Sequence, residues 1–133
     1  MAETNIDYEE QREQVAEVAM QMILHAGDAR ELIMKALDAV GQGRYEEAQK
    51  ELIEAKEELR QAHVFQTSVI QSEAAGTKYE YSLLFTHAQD TVMTIFSEMN
   101  LAKKIIALYQ DMDRRMQVLE QRTEEKQNVS YTA

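Results

Sequence analysis

Apolar residues recur along this chain at alternating steps of three and four, in three separate runs. The first takes Val15, Val18, Met22, His25, Ala29, Leu32, Ala36 and Val40 and stops at Gly41-Gln42-Gly43, a C-cap and turn signal. The second takes Tyr45, Ala48, Leu52, Ala55, Leu59, Ala62, Gln66 and Val69 and stops at Ser72-Glu73-Ala74-Ala75-Gly76-Thr77, again with a glycine. The third takes Phe85, Ala88, Val92, Ile95, Met99, Ala102, Ile106 and Tyr109, with a continuation towards Met116. Such spacing lines one face of a helix, and three helices with short connections predict an all-α fold, an antiparallel, left-handed three-helix bundle. No two-residue alternation competes with it. Residues 1–133 read as one domain, with a polar, patternless tail at about 123–133 that is expected to fray.

The third run carries a second pattern. At about 100° per residue, Leu83, Asp90, Met93, Ser97, Leu101 and Leu108 fall on another face, about 160° to 200° from the first. A helix with two apolar stripes has two partners to bury against. One stripe serves the core of the chain. The other suits a seam between copies, with Asp90 in it and His87 at its border. A bundle of 133 residues has a limited core, which also favours assembly.

Composition narrows the function. The absence of Pro and the presence of only four Gly leave helices almost uninterrupted, and the absence of Cys removes disulfides and sulfur metal sites. A net charge of −10 disfavours nucleic acid and anionic membranes, and would draw in a partner with a basic patch. No apolar run approaches the roughly 20 residues that span a bilayer. The acidic, polar start at 1–10 is unlike a secretion signal, so the cytoplasm is expected.

Chemistry concentrates at His87-Ala88-Gln89-Asp90, where an imidazole precedes a carboxylate by three residues on one helix face. Imidazole carries phosphoryl groups well, because near pH 7 its neutral form is abundant and nucleophilic. The other histidines, His25 on the first apolar line and His63 near the end of the second, read as core-edge imidazoles making hydrogen bonds. Asp28 follows His25 at the same spacing, so spacing by itself does not single out a site. No Glu-x-x-His pair, Gly-rich phosphate loop or His-Glu-x-x-His motif occurs, which counts against a dimetal bundle, a nucleotide-using kinase and a zinc hydrolase.

The stretch Leu83-Leu84-Phe85-Thr86-His87-Ala88-Gln89-Asp90-Thr91-Val92-Met93-Thr94 resembles the phosphorylation-site helix of the enzyme IIA component of bacterial sugar phosphotransferase systems, lactose/cellobiose (chitobiose) class. Ala26-Gly27-Asp28-Ala29-Arg30 and Ala62-His63-Val64-Phe65-Gln66-Thr67-Ser68-Val69-Ile70 echo the same family in the same order. The resemblance implies a homotrimer of three-helix subunits. It implies that His87 takes phosphate from the phosphocarrier protein HPr and passes it to a cysteine of the sugar-specific IIB component. Uptake of a β-linked disaccharide would follow, with the membrane reached only through the sugar permease. Phe85 and Thr91 would contribute to the patch that both partners touch.

Asp90 matches the family's shared metal ligand at the trimer axis. Three carboxylates gathered there repel one another, and either a hard divalent cation such as Mg²⁺ or partial protonation relieves the crowding. The chain departs from many relatives in carrying Thr91-Val92 where they carry His-Leu, so a second imidazole near the site is missing. Two other readings fit a helical bundle. One is a histidine phosphotransfer domain of two-component signalling, whose His-x-x-Lys-Gly pattern no histidine here satisfies. The other is a non-catalytic coiled-coil module, which leaves the surroundings of His87 without a purpose.

Overall fold

A computed structural model describes residues 2–132, and side-chain surroundings over 7–130. Three helices follow one another: α1 (Ala2–Gly41), α2 (Tyr45–Ala74) and α3 (Leu83–Thr132). There is no strand among the described residues.

Glycine closes both of the first two helices in the same way. Gly43, at φ +77°, donates its amide to the Val40 carbonyl at 3.0 Å, while Arg44 N–H reaches back to Ala39 at 2.9 Å. Gly76, at φ +111°, repeats the arrangement with Glu73 and Ser72. These paired bonds satisfy the last carbonyls of each helix, and only glycine enters that left-handed conformation without strain. Tyr45 starts α2 directly after the first turn, so α1 and α2 form an antiparallel hairpin.

α1 is the centre of the bundle. It packs extensively on both α2 and α3, which barely meet each other. Ion pairs Arg12–Glu80 and Arg30–Glu98 both join residues 68 apart, so the end of the connector and α3 after it run parallel to α1 in a constant register. The core is built from Ala19, Met22, Ala26, Ala29, Ile33 and Ala36 of α1, the line Ala48, Leu52, Ala55, Leu59 and Ala62 of α2, and Ala88, Val92, Ile95, Met99, Ala102 and Ile106 of α3. Alanine dominates α1, which lets two neighbours approach it closely.

Three expectations change. On α1, Val18, His25 and Leu32 are only half-buried, while Ala19, Ala26 and Ile33 are enclosed. A helix with two partners buries a stripe wider than one line, and its centre lies between them. On α3 the buried line stops at Ile106; Tyr109 and Met116 are exposed. Residues 123–132, expected to fray, continue α3 as helix. Glu124, Glu125, Lys126 and Gln127 are good helix formers, and the stretch holds no Gly or Pro, so nothing local stops the helix.

Candidate functional site

Ser82 sets where α3 begins. Its hydroxyl oxygen accepts the Phe85 amide at 3.1 Å, and its carbonyl accepts the Thr86 amide at 3.1 Å, the bonding of an N-cap serine. His87 therefore lies in the second turn. The connector before it is tied to α1 by Gln11 Nε2 donating to the Lys78 carbonyl at 3.0 Å and by the Arg12–Glu80 pair at 2.7 Å. The free amides at the start of a helix favour negative charge near that end.

His87 is exposed, and its imidazole makes no hydrogen bond or ion pair within the chain among the described residues. Its backbone carbonyl accepts a 2.8 Å bond from the Thr91 hydroxyl, so Thr91 is turned back onto its own helix. Asp90 shares the face of His87, is likewise exposed and forms no salt bridge among the described residues. Ala88, between them in sequence, is fully buried against α1 and fixes the helix rotation that leaves both outside.

The outer stripe of α3 is bare. Leu83, Leu101 and Leu108 keep 72%, 61% and 65% of their surface exposed, and Met93 is also exposed. Phe85, expected in the partner patch, instead packs against the core, and Thr91 is half-buried. Leu83 and Leu84 are the exposed apolar side chains that immediately precede the site. A cleft of about 310 Å³ near the start of α3 is lined by Val15, Val69, Tyr79, Ser82, Phe85 and Gln89 among others, but not by His87.

Asp90 brings one carboxylate per chain, and no group of three acidic, histidine or cysteine side chains able to hold a metal occurs among the described residues of one chain. An oxygen donor in an outward-facing, unpaired position fits a hard cation held jointly by several copies, and does not fit a site within a single chain.

His25 and His63 part company. His25 Nδ1 lies 2.7 Å from Glu58 Oε2, half-buried between α1 and α2, and its ring stacks on Phe65 at 5.8 Å. This is the core-edge role read from its position. His63 is exposed, one position past the buried Ala62 and so about 100° round the helix from the apolar line. Two tertiary ties were not legible beforehand. Arg30 grips Glu98 with two nitrogens, at 2.9 and 2.8 Å, and this bond raises the Arg30 pKa further. The Tyr45 hydroxyl donates to Asp113 at 3.1 Å across the far end of the bundle. Both pairs join charged or polar residues on separate helices, where periodicity within one helix carries no signal.

Comparison with known proteins matches residues 17–110 to the family described as PTS system, Lactose/Cellobiose specific IIA subunit. The lichenan-specific phosphotransferase enzyme IIA component of Bacillus subtilis strain 168 is 44% identical over 98 residues, 74% of this chain and 89% of that protein. The crystal structure of the cellobiose-specific enzyme IIA from Bacillus anthracis superposes with a TM-score of 0.71 at 42% identity, covering 74% of this chain and 90% of that one. The Escherichia coli chitobiose IIA, solved as a complex with HPr, gives a TM-score of 0.67 at 31% identity over 74% of this chain and 96% of that one.

Proposed function

Because the chain belongs to the lactose/cellobiose-specific IIA family of the sugar phosphotransferase system, whose members are phosphotransfer proteins, we propose that it relays a phosphoryl group through His87, from HPr to a cysteine of the cognate IIB component. The observation that carries this reading is the isolation of His87. It is exposed, unbonded and borne on a helix whose rotation Ala88 and Val92 lock by burial. A relay must offer one nucleophile to two proteins in turn, so neither bonds nor walls within its own chain should occupy it.

In the first step an unprotonated ring nitrogen of His87 attacks phosphorus in line with the bond to the donor. The N–P bond forms as the donor bond breaks, and its electron pair leaves with the donor. In the second, the cysteine thiolate of IIB attacks the same phosphorus, the N–P bond breaks and the imidazole recovers its lone pair. Such transfers demand positioning and charge stabilisation rather than covalent help from further groups. The start of α3 supplies part of that stabilisation through its free amides.

The outer stripe of α3 acts in this reading as the seam of a homotrimer, with three Asp90 carboxylates converging on its axis. Asp90 would hold a divalent cation such as Mg²⁺ there, whose charge would offset the repulsion of three carboxylates. The protein works in the cytoplasm and meets the membrane only through the permease that takes up a β-linked disaccharide. No helix among the described residues is long and apolar enough to cross a membrane.

Incubation with phosphoenolpyruvate, enzyme I and HPr tests the relay. An acid-labile, base-stable phosphate is expected on His87, and His87→Gln should accept none while keeping its helicity and size. Labelling that persists in His87→Gln would overturn the site.

A further inference from the structure

Beyond Gln110 the helix α3 leaves the region matched by the family and continues to Thr132, with a seven-residue period of its own as far as Thr123. Ile105, Tyr109, Met112, Met116, Leu119 and Thr123 follow one another at alternating steps of four and three, on one face. None is buried by the chain; Met112 and Leu119 keep 65% and 56% of their surface exposed. Tyr109 lies 6.5 Å from the Tyr45 ring at the start of α2; beyond it, a long uncharged strip on a helix in water is half of an interface.

The flanks of the strip identify the other half. With Tyr109 and Met116 at the a positions and Met112 and Leu119 at d, Arg115 and Arg122 fall on one flank and Asp113 and Glu120 on the other. Arg114 and Gln121 then lie outermost. In a parallel coiled coil the first flank of one helix lies along the second flank of its neighbour. Arg115 then meets Glu120 of the next copy, five residues on, the usual interhelical pairing. In an antiparallel arrangement arginine meets arginine and acid meets acid, which is costly. Glu120 has no ion pair within the chain among the described residues. Arg115 has only an exposed contact with Asp111 at 3.4 Å, worth little and readily exchanged.

We infer that residues 109–123 form a parallel, in-register coiled coil with the same segment of other copies of this chain. The strip joins the bare stripe beside the site through Leu101 and Ile105. From Ser97 to Tyr109 its steps are all of four residues, a stutter that changes the local winding. Three strands follow from the trimer reading; the parallel register follows from the flanks alone. Leu119 lies about 40 Å along the helix from Asp90, so this contact would hold copies together independently of anything bound at the carboxylates.

The chain has no cysteine, so one introduced thiol reports contact cleanly. In the full-length protein, Leu119→Cys should oxidise to a covalent dimer about tenfold or more faster than Gln121→Cys on the outermost face, because the coil concentrates the seam thiols. Adding Arg115→Glu should slow that linkage, and adding Glu120→Arg as well should restore it. Leu101→Cys and sedimentation report the seam beside the site in the same preparations. An assembly that links through Leu101→Cys, with Leu119→Cys no faster than Gln121→Cys, overturns the coil and leaves the trimer reading standing. A chain that sediments as a monomer overturns both.

Discussion

Tyr45 shows what a single side chain can report. Its hydroxyl donates to Asp113, and its ring lies 6.5 Å from that of Tyr109. Partial burial raises its pKa above the ordinary value near 10, and the bond to Asp113 and its charge raise it further. The sign follows from that direction: the neutral phenol is favoured in the folded chain, so its contribution is complete below pH 10 and disappears as pH rises through the higher folded value. In an absorbance titration of the six tyrosines, one should ionise late, and Tyr45→Phe should remove that late step. An unchanged profile would show that the Tyr45–Asp113 bond does not persist in solution. Single residues were legible in the sequence where helical position decided their fate. His25 sits on the apolar line and is half-buried with Glu58 as its partner, as its position implies; His63, which reads as a second core-edge imidazole, is instead exposed, because it stands one position beside the line. Residues whose role depends on another helix, such as Arg30 against Glu98, gave no comparable sign.

At the scale of the helix, α2 and the first half of α3 were read almost residue for residue, because each presents one face to one neighbour. α1 was mis-centred because it serves two. The same helix holds Gly27, exposed in mid-helix, where an added Cβ would meet nothing within 4 Å. Glycine inside a helix costs about 0.5–1 kcal/mol relative to alanine, so Gly27→Ala should raise stability in urea by about that amount. A loss of stability instead would mean that another copy approaches that bare face closely enough to exclude a methyl group. The far end of α3 departs from expectation for a different reason: the polar composition of 123–132 suggests lack of structure, yet the stretch holds no Gly or Pro to stop a helix already running into it.

For the molecule as a whole, assembly is the property that one chain leaves open. If Asp90 is kept for a cation and not for stability, an apolar replacement should serve the seam as well, since clusters of buried like charge are often replaced at no cost. Asp90→Leu is expected to remain a trimer, to lose its divalent ion and to melt no lower than the parent stripped by a chelator. Sedimentation and melting with and without chelator check this; a monomeric variant would show that the carboxylates themselves hold the copies together. The arrangement in which α3 rests on α1 and scarcely touches α2 also bears on the order of folding. The α1–α2 hairpin can zip outward from the turn at Gly43, closing short loops, whereas α3 must be brought back across 68 residues of chain. The hairpin should therefore form first and the helix carrying His87 should dock last, and by the same reasoning undock first. Amide exchange in native conditions should release the protons of α3 before those buried in the hairpin. On the relay reading, the part of the molecule that donor and acceptor proteins must reach would then also be the part its own chain holds least tightly.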